Sequence, residues 1–330
     1  MTTNINDKSK ALYFENQAAV DVKETFDATD IIRTSNLEAT IYDGETVTID
    51  YDGGSGRNAL TKHTTQYNKF SFEMDLIGGG DAGAGEINDP PAADVIRACG
   101  YDMALATGEA VFTPSDRSNI DMASLGMVRR VATNGVGDYK VYRYDTYNAR
   151  GQLGISLSDD RPKFVVTDMT GVYERPVEVA STPLGTTVPA ITASPVTFTN
   201  GSFNTLTFNS ETLCVHSFNI PNLGWSVVPI DKPNCADISL QEEKILIDIT
   251  FKQLDFDGVA NPFEWAEDHI QQNFYDLVLS MDNRVGHIFK LNATGKLMGL
   301  SEVALEDGNV GLQGQIEVQD DTIDFGFYAA

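Results

Sequence analysis

The chain contains the segment Phe70-Ser71-Phe72-Glu73-Met74-Asp75-Leu76, in which every second residue is large and apolar and those between are polar. Successive side chains of an extended chain point to opposite faces, so this alternation predicts a β-strand with one face on a core and the other towards water. The pattern returns at residues 245–251 and again at 322–328. These three segments predict a mainly β protein.

A two-residue turn signal, Asp43-Gly44, lies between the strand-like runs 40–42 and 46–51. Aspartate and glycine tolerate the positive φ that tight hairpin turns need. The spacing therefore predicts that these two runs pair with each other as a hairpin.

Two short helices are expected among the strands. The first is predicted to begin at Asp89, whose carboxylate can cap free N–H groups before the prolines that follow, and to end at Gly100. The second is predicted to begin at Asn261, with Pro262 next. Each has one apolar stripe at helical spacing: Ala92, Val95, Ile96 and Cys99 in the first, and Phe263, Ala266 and Ile270 in the second.

Each helix lies between a strongly alternating strand and a later group of strands, and this parallel favours an internal duplication of the chain. The segment 178–199 contains three prolines and several small residues without sustained periodicity, which is typical of a linker. We therefore expect two β domains, at residues 1–190 and 191–330. The stretch 101–137 has no equivalent in the second half and is interpreted as an insertion.

Composition excludes several classes of function. The 330 residues include 48 Asp and Glu against 23 Lys and Arg, a formal net charge of −25. This sign opposes a surface that grips nucleic acid, because phosphate binding needs clustered cations. The segment 1–19 lacks a basic stretch leading into an apolar run, and no apolar run is long enough for a bilayer, so neither a signal peptide nor a membrane partner is expected. Three cysteines without close spacing are read as reduced, mostly buried thiols.

Motifs that carry chemistry are weak in this chain. The run 78–83 spells a dinucleotide fingerprint, but five residues separate it from the helix it would have to open, so a flexible loop is the preferred interpretation. Cys214 and His216 can share a strand face, yet no further zinc ligands are evident, and half-buried packing is preferred. Asp268 and His269 are adjacent, point apart on a helix, and are expected on a solvated surface. We predict no catalytic, cofactor-binding or metal-binding residue, and hence no enzyme.

One region resembles a known family. The alternating segment 66–76, a glycine-rich loop, the helix segment 90–101 with its Arg97-Ala98-Cys99-Gly100 ending, and the later Phe112-Thr113-Pro114-Ser115 together resemble the tail tube proteins of long-tailed, siphovirus-like bacteriophages. The second half is similar at 208–218, 245–251 and 320–328. The similarity covers residues 30–328, and the segment 66–115 is its specific part.

The resemblance implies a structural virion protein made in the host cytoplasm. Such subunits are β-sandwich or barrel domains, each flanked by a short helix, and they close into rings that stack as a hollow tail tube through which DNA passes. Its implied partners are further copies of the chain and the tape measure, tail terminator and distal tail proteins. Two tandem tail-tube domains favour a trimeric, pseudo-sixfold ring over a true hexamer. For the acidic outer faces at Glu73, Asp75 and Asp248 two interpretations stay open: they line the channel and repel DNA, or they improve solubility, as acid on any protein surface does.

Three other functions stay open at this point. The chain is also compatible with the inner tube of a contractile tail. A virion decoration or receptor-binding protein would expose Tyr142, Tyr144 and Tyr147 as a sugar-binding surface. A cytosolic enzyme would need a site assembled from distant residues, which the sequence does not indicate.

Overall fold

A computed structural model of the chain describes residues 10–27, 29–44, 46–50, 59–63, 66–116, 121–132, 139–157, 161–179, 194–196, 204–232, 235–252, 261–268, 273–305, 308–319 and 322–329. Within these residues the chain is mainly β-strand with two short α-helices, and most strands join one large antiparallel network. The prediction of a mainly β protein with short helices is confirmed.

The described elements are fourteen strands and one helix in the first half and ten strands and one helix in the second. The described elements of the first half are β1 (Lys10–Asn16), β2 (Ile31–Ile32), β3 (Ser35–Asp43), β4 (Thr46–Asp50), β5 (Ala59–His63), β6 (Tyr67–Asp75), β7 (Asp81–Gly83), β8 (Glu86–Ile87), α1 (Ala93–Ala98), β9 (Tyr101–Ala106), β10 (Glu109–Pro114), β11 (Ala123–Ala132), β12 (Tyr139–Ser156), β13 (Lys163–Tyr173) and β14 (Val177–Val179). Those of the second half are β15 (Thr205–Phe208), β16 (Glu211–Thr212), β17 (Val215–Ile220), β18 (Trp225–Lys232), β19 (Cys235–Glu242), β20 (Leu246–Lys252), α2 (Pro262–Glu267), β21 (Tyr275–Met281), β22 (Ile288–Ala304), β23 (Val310–Val318) and β24 (Asp324–Tyr328).

Strands pair in the same spatial order in both halves. The order is β1-β11-β12-β13-β6-β3 in the first half and β15-β21-β22-β23-β20-β17 in the second, antiparallel throughout. The separate hairpins β4-β5 and β18-β19 occupy the same place along the chain, as do α1 and α2. β14 pairs with the beginning of β12, and β24 pairs with the beginning of β22, which are the long strands of the two halves. Among the described strands, the hairpin β9-β10, within the stretch 101–137, has no counterpart.

The two long strands change neighbours partway along their length. β12 has 18 residues and shifts register against β13 between Tyr147 and Gln152, with Asn148 at φ 51°. β22 has 17 residues and shifts against β23 between Met298 and Leu300, with Gly299 at φ 64°. An extra residue of this kind bends a strand. The change of partners comes before the bulge, since β13 already pairs with β12 at Thr146 and β23 already pairs with β22 at Gly295.

The alternating segments face the core as predicted. Phe70, Phe72 and Met74 of β6 are buried, and so are Ile247, Ile249 and Phe251 of β20 and Ile323, Phe325 and Phe327 at the end of the chain. Their polar neighbours lie on the opposite face. Most of the buried side chains of both halves belong to one continuous cluster.

Strand pairing and aromatic packing join the two halves. Phe112 of β10 stands opposite Phe325 of β24, and their rings stack with centroids 5.4 Å apart. Tyr101 and Phe164 also contact Phe325, at 5.1 and 6.0 Å between centroids. β12 further pairs with β17. Since most of 178–199 lies outside the described residues, the boundary near residue 190 stays a prediction.

The helices differ in detail from their predictions. α1 begins at Ala93 with Ala92 as its N-cap, which makes no side-chain hydrogen bond, so the predicted cap at Asp89 is wrong. The prolines first form a turn, in which Ala93 N donates to Pro90 O. The predicted stripe of α1 is confirmed, since all four of its residues are buried.

α2 begins after Asn261, whose side chain accepts a hydrogen bond from Phe263 N, as predicted. The apolar stripe expected on α2 is wrong at Phe263, which is 41% exposed, whereas Trp265 is buried. Ile270 lies outside the described residues.

The hairpin predicted at Asp43-Gly44 is wrong. β3 pairs with β6, and β4 pairs with β5. The positive φ lies at Tyr42 rather than at Gly44. A local turn signal therefore marks where the chain changes direction but does not choose the partner strand.

Candidate functional surface

Two strand edges of the protein have no partner strand among the strands that the structure describes. Among the described strands, β3 pairs only with β6. Leu37, Ala39 and Ile41 of β3 pack against the core and are half-buried, while the residues between them are exposed. An open edge presents backbone N–H and C=O groups that another strand can pair with. We call residues 37–41 the β3 edge.

The β3 edge is short because its flanks are irregular. Asn36 and Tyr42 adopt φ values of 51° and 62°, and the register against β6 shifts near each of them. Bulged, short edges resist uncontrolled addition of strands from other chains. The geometry therefore leaves a few residues competent for pairing and limits pairing beyond them.

The second open edge lies at the end of β22. β21 pairs with β22 only as far as Gly295, and beyond that point β23 covers one side alone among the described strands. Ser301, Glu302 and Ala304 are exposed. Nearby Val310, the residue opposite Ala304, is 49% exposed. We call residues 301–304 the β22 edge.

The face of β6 and β13 that points away from the core carries charges of both signs. Lys163 Nζ lies 3.0 Å from Glu73 Oε2, and Arg161 Nη2 lies 2.5 Å from Asp75 Oδ2. Burial alone would raise the pKa of Glu73, but hydrogen bonds from Lys163 and Asn36 outweigh it and hold that pKa below its usual value. The acidic residues expected here thus have cationic partners.

The corresponding face of the second half shows the same compensation. Glu317 Oε1 lies 2.5 Å from Lys244 Nζ, and Glu317 Oε2 lies 3.2 Å from Lys296 Nζ. The hydrogen bond from Lys244 lowers the pKa of Glu317 most, against a smaller opposing effect of burial. Asp248 accepts a hydrogen bond from Gln315 at 2.9 Å. Glu317 is therefore compensated by two lysines, whereas the group that donates to Asp248 in this contact is a neutral amide.

The glycine-rich run 78–83, interpreted as a flexible loop, is closely packed at its beginning and exposed at its end. A Cβ at Gly78 would lie 1.9 Å from Gly286 O, and one at Gly79 would lie 1.7 Å from Asn88 O. Gly80 N donates to Gly286 O. Glycine is required at residue 78 because backbone of the second half crosses it, and at residue 79 because the backbone of Asn88 in the same half lies against it.

A basic side chain that sequence analysis missed holds part of the linker. Arg284 Nη1 and Nη2 donate to Ser194 O and Pro195 O, at 2.9 and 3.2 Å, and its guanidinium also pairs with Asp282. Burial lowers the pKa of neighbouring His287, and the charge of Arg284 lowers it further. The sequence signal was only a turn, so this anchoring role became visible in three dimensions.

A cleft of about 380 Å³ lies where the halves meet. Trp225, Glu242 and Lys244 contribute to its walls, together with Pro114 and Ser115 of the first half. The ammonium group of Lys244, which lines the cleft, is already paired with the carboxylate of Glu317. Ser115 Oγ donates a hydrogen bond to Asp102 Oδ1 at 2.7 Å, but none of the described residues that line the cleft is a histidine that could activate this hydroxyl.

The motif residues that sequence analysis weighed do not converge. Cys214 and His216 are both exposed, so the half-buried packing expected of them is wrong. Cys99 is buried, and burial raises the pKa of its thiol. Asp268 accepts a hydrogen bond from Tyr275 Oη, and His269 lies outside the described residues. In the part of the chain that the structure describes, no three His, Cys, Asp or Glu side chains are placed to share a metal ion.

Neither helix within the described ranges is long and apolar enough to span a bilayer. No protein-family model matches the chain. No curated protein matches it either. The function is therefore argued from the chain itself.

Proposed function

We propose that this chain is a structural subunit of a bacteriophage tail tube, which assembles as rings that stack around a channel for DNA. The observation that carries the proposal is the repeated pairing order of the two halves, six strands in the same arrangement with a helix and a hairpin at the same places. In this proposal each half is one tail-tube domain of the sandwich or barrel type.

Because the two halves repeat the same pairing order, a closed ring can be built with few different kinds of interface. If the halves are structural equivalents, three chains supply six equivalent units around an axis, and the join between halves within a chain can recur between chains. The two open edges support this, since an edge with unpaired backbone groups is satisfied when a neighbouring copy supplies a strand. A trimeric ring of pseudo-sixfold symmetry is therefore favoured over a ring of six chains.

Charge supports a role as a conduit rather than as a DNA-binding protein. A net charge of −25 gives the assembled ring a strongly negative potential, which repels phosphates and lets DNA pass without adhering. Because the outer faces around Glu73 and Glu317 are compensated by lysines, we assign the acidity of the bore to the other carboxylates. Tape measure, tail terminator and distal tail proteins are the further partners proposed.

The receptor-binding alternative receives less support. Tyr142, Tyr144 and Tyr147 are half-buried, and Tyr144 packs against the core, so they do not form an exposed aromatic platform. The inner tube of a contractile tail uses the same assembly, and it differs in the presence of a sheath around the tube.

Electron microscopy of concentrated purified protein, with native mass spectrometry, tests the proposal. We expect rings of three chains and tubes of uniform width, and no shift of a DNA fragment on a gel at physiological salt. Single compact particles at all concentrations, together with absence of the chain from purified tail shafts, would overturn it. A monomer that binds bacterial surfaces would favour the receptor-binding alternative.

A further inference from the structure

The join between the halves of one chain shows in detail how an edge of this fold is satisfied. Ile155 and Ser156 of β12 stand opposite Ile220 and Asn219 of β17 in antiparallel register. Leu157 N donates to Phe218 O at 2.9 Å. Since residues 157 and 218 are thus hydrogen-bonded partners, Ser156 and Asn219 form the intervening non-hydrogen-bonded pair, whose side chains approach most closely.

The other half contains the counterpart of each strand in this join. On β13, Phe164 stands opposite both Ile155 and Met74, and on β23, Leu312 stands opposite both Glu302 and Phe251. Met74 and Phe251 are the penultimate residues of β6 and β20, so the two rows lie at the same end of the sheet. Ile155 of β12 therefore corresponds to Glu302 of β22.

The same registers relate the two partner strands. Phe218 of β17 stands opposite Ile249. On β3, Glu38 stands opposite Ser71, and extending this register by one residue places Leu37 opposite Phe72. Phe72 and Ile249 correspond, because each lies two residues before Met74 or Phe251. Leu37, Glu38 and Ala39 of β3 hence correspond to residues 218–220 of β17. The β22 edge and the β3 edge are the counterparts of the two strands that pair within the chain.

Burial differs as expected for one occupied and one vacant join. Leu153, Ile155 and Leu157 are at most 1% exposed. Their counterparts are open, since Leu300 is half-buried and Glu302 and Ala304 are exposed. Pro162, which immediately precedes β13, is buried, whereas its counterpart Val310 at the beginning of β23 is 49% exposed.

We infer that the β22 edge of one copy pairs antiparallel with the β3 edge of the next copy, with Val303 opposite Glu38, and that three such joins close the ring. This inference rests on the proposed function and specifies its contact. The occupant is a second copy because pairing of β10 with β24 and of β12 with β17 holds the halves of one chain in a fixed relation, in which its own β3 and β22 are not paired.

The join between copies is more polar than the join within the chain. Glu302 and Ala39 take the places of Ile155 and Ile220. Glu38 and Glu302 occupy adjacent rows, so their side chains project to opposite faces of the sheet and do not meet. Lys10 Nζ donates to Leu37 O at 3.1 Å, and a carbonyl oxygen with two lone pairs can also accept a strand N–H. Interfaces between separately folded chains commonly have this polar composition.

Cysteine crosslinking tests the register. Glu38→Cys and Val303→Cys are combined in a chain that also carries Cys214→Ser and Cys235→Ser. Side chains of a directly opposed non-hydrogen-bonded pair approach closely enough for a disulfide. Mild oxidation of the assembled protein should give covalent species that end at three chains on a non-reducing gel, and at most a minor dimer for each single-cysteine variant.

Two pairs serve as controls in the same background. Ser156→Cys with Asn219→Cys occupies the template join and should crosslink within one chain, without multimers. Glu38→Cys with Glu264→Cys, on the exposed side of α2, should not form a ladder. Circular dichroism before oxidation verifies that each variant folds.

The outcomes separate the inference from the proposed function. Rings in the microscope without crosslinked chains in the Glu38→Cys/Val303→Cys protein overturn the edge pairing and leave the tail tube proposal standing. Monomers alone, with neither rings nor crosslinks, overturn both. An equal ladder from the Glu264→Cys control, or no crosslink in the template pair, also overturns the inference.

Discussion

Phe325 is the side chain that we expect to couple the two halves most strongly. It is fully buried, and three aromatic rings of the first half lie against it, those of Tyr101, Phe112 and Phe164. Replacing a buried phenylalanine by alanine removes apolar contacts and leaves a cavity, at a cost of about 3–5 kcal/mol. Because its neighbours are large rings that cannot close over the space, we expect Phe325→Ala to lower the free energy of unfolding by about 4 kcal/mol.

The expected change in Tm follows from this free energy and from the unfolding entropy, which scales with the length of the chain. An unfolding entropy of about 2.1 cal/mol/K per residue gives about 0.7 kcal/mol/K for 330 residues. A loss of about 4 kcal/mol then lowers the Tm by about 6 °C. Differential scanning calorimetry of dilute protein measures the shift, and the wild type should unfold in one transition because the halves share a core.

The matched control is Phe263→Ala, which makes the same change at a side chain that is 41% exposed on α2. Surface substitutions usually stay within about 0.5 kcal/mol, so its Tm should move by less than about 1 °C. A decrease below about 2 °C for Phe325→Ala, or one equal to that of the control, would refute the argument that this ring holds the halves together.

Three further predictions concern other parts of the molecule. Gly78→Ala places a methyl group against the backbone oxygen of Gly286 and should cost about 1–3 kcal/mol, seen as a lower urea midpoint. Glu73 has a lowered pKa in the folded state, so its contribution to stability is complete above about pH 4.5 and is lost as the pH falls through the folded pKa. The difference in the free energy of unfolding between wild type and Glu73→Gln, measured in urea, should therefore shrink from pH 7 to pH 3. Cys214 should react with iodoacetamide in the native protein while buried Cys99 does not, as peptide mass spectrometry can show.

Each of these predictions has a control in the chain. Gly85→Ala introduces a methyl group into open space, so its cost should come from the positive φ alone and stay below that of Gly78→Ala. Glu86→Gln removes an exposed carboxylate and should leave the pH profile of stability unchanged. Labelling of Cys99 must appear once the protein is unfolded in urea. Equal effects in test and control positions would contradict the reasoning.

The elements and the core were largely predictable from the sequence, whereas the partners were not. The alternation around Phe72 and Ile249 predicted strands and buried faces, and both were confirmed. The signal at Asp43-Gly44 predicted the wrong partner because a turn constrains a few dihedral angles and not the course of the chain beyond it. The cap at Asp89 failed because the two prolines after it form a turn before the helix begins.

The candidate surface was predictable only in general terms. Unpaired edges are expected in any open sheet, but the sequence of β3 does not differ in kind from that of strands that pair on both sides. Locating the β3 edge and the β22 edge required the register of every neighbouring strand. The same applies to the charges at Glu73, whose lysine partner lies far away in the sequence.

The sequence by itself determined that this is a β protein and which face of each strong strand is buried, because side chains of an extended chain alternate whatever strand lies beside it. Only the tertiary structure decided which strands are neighbours, that the two halves repeat one order of pairing, and which edges are left over. The reason is that backbone hydrogen-bonding groups are nearly the same at every residue, so the choice of partner depends on the packing of the whole chain.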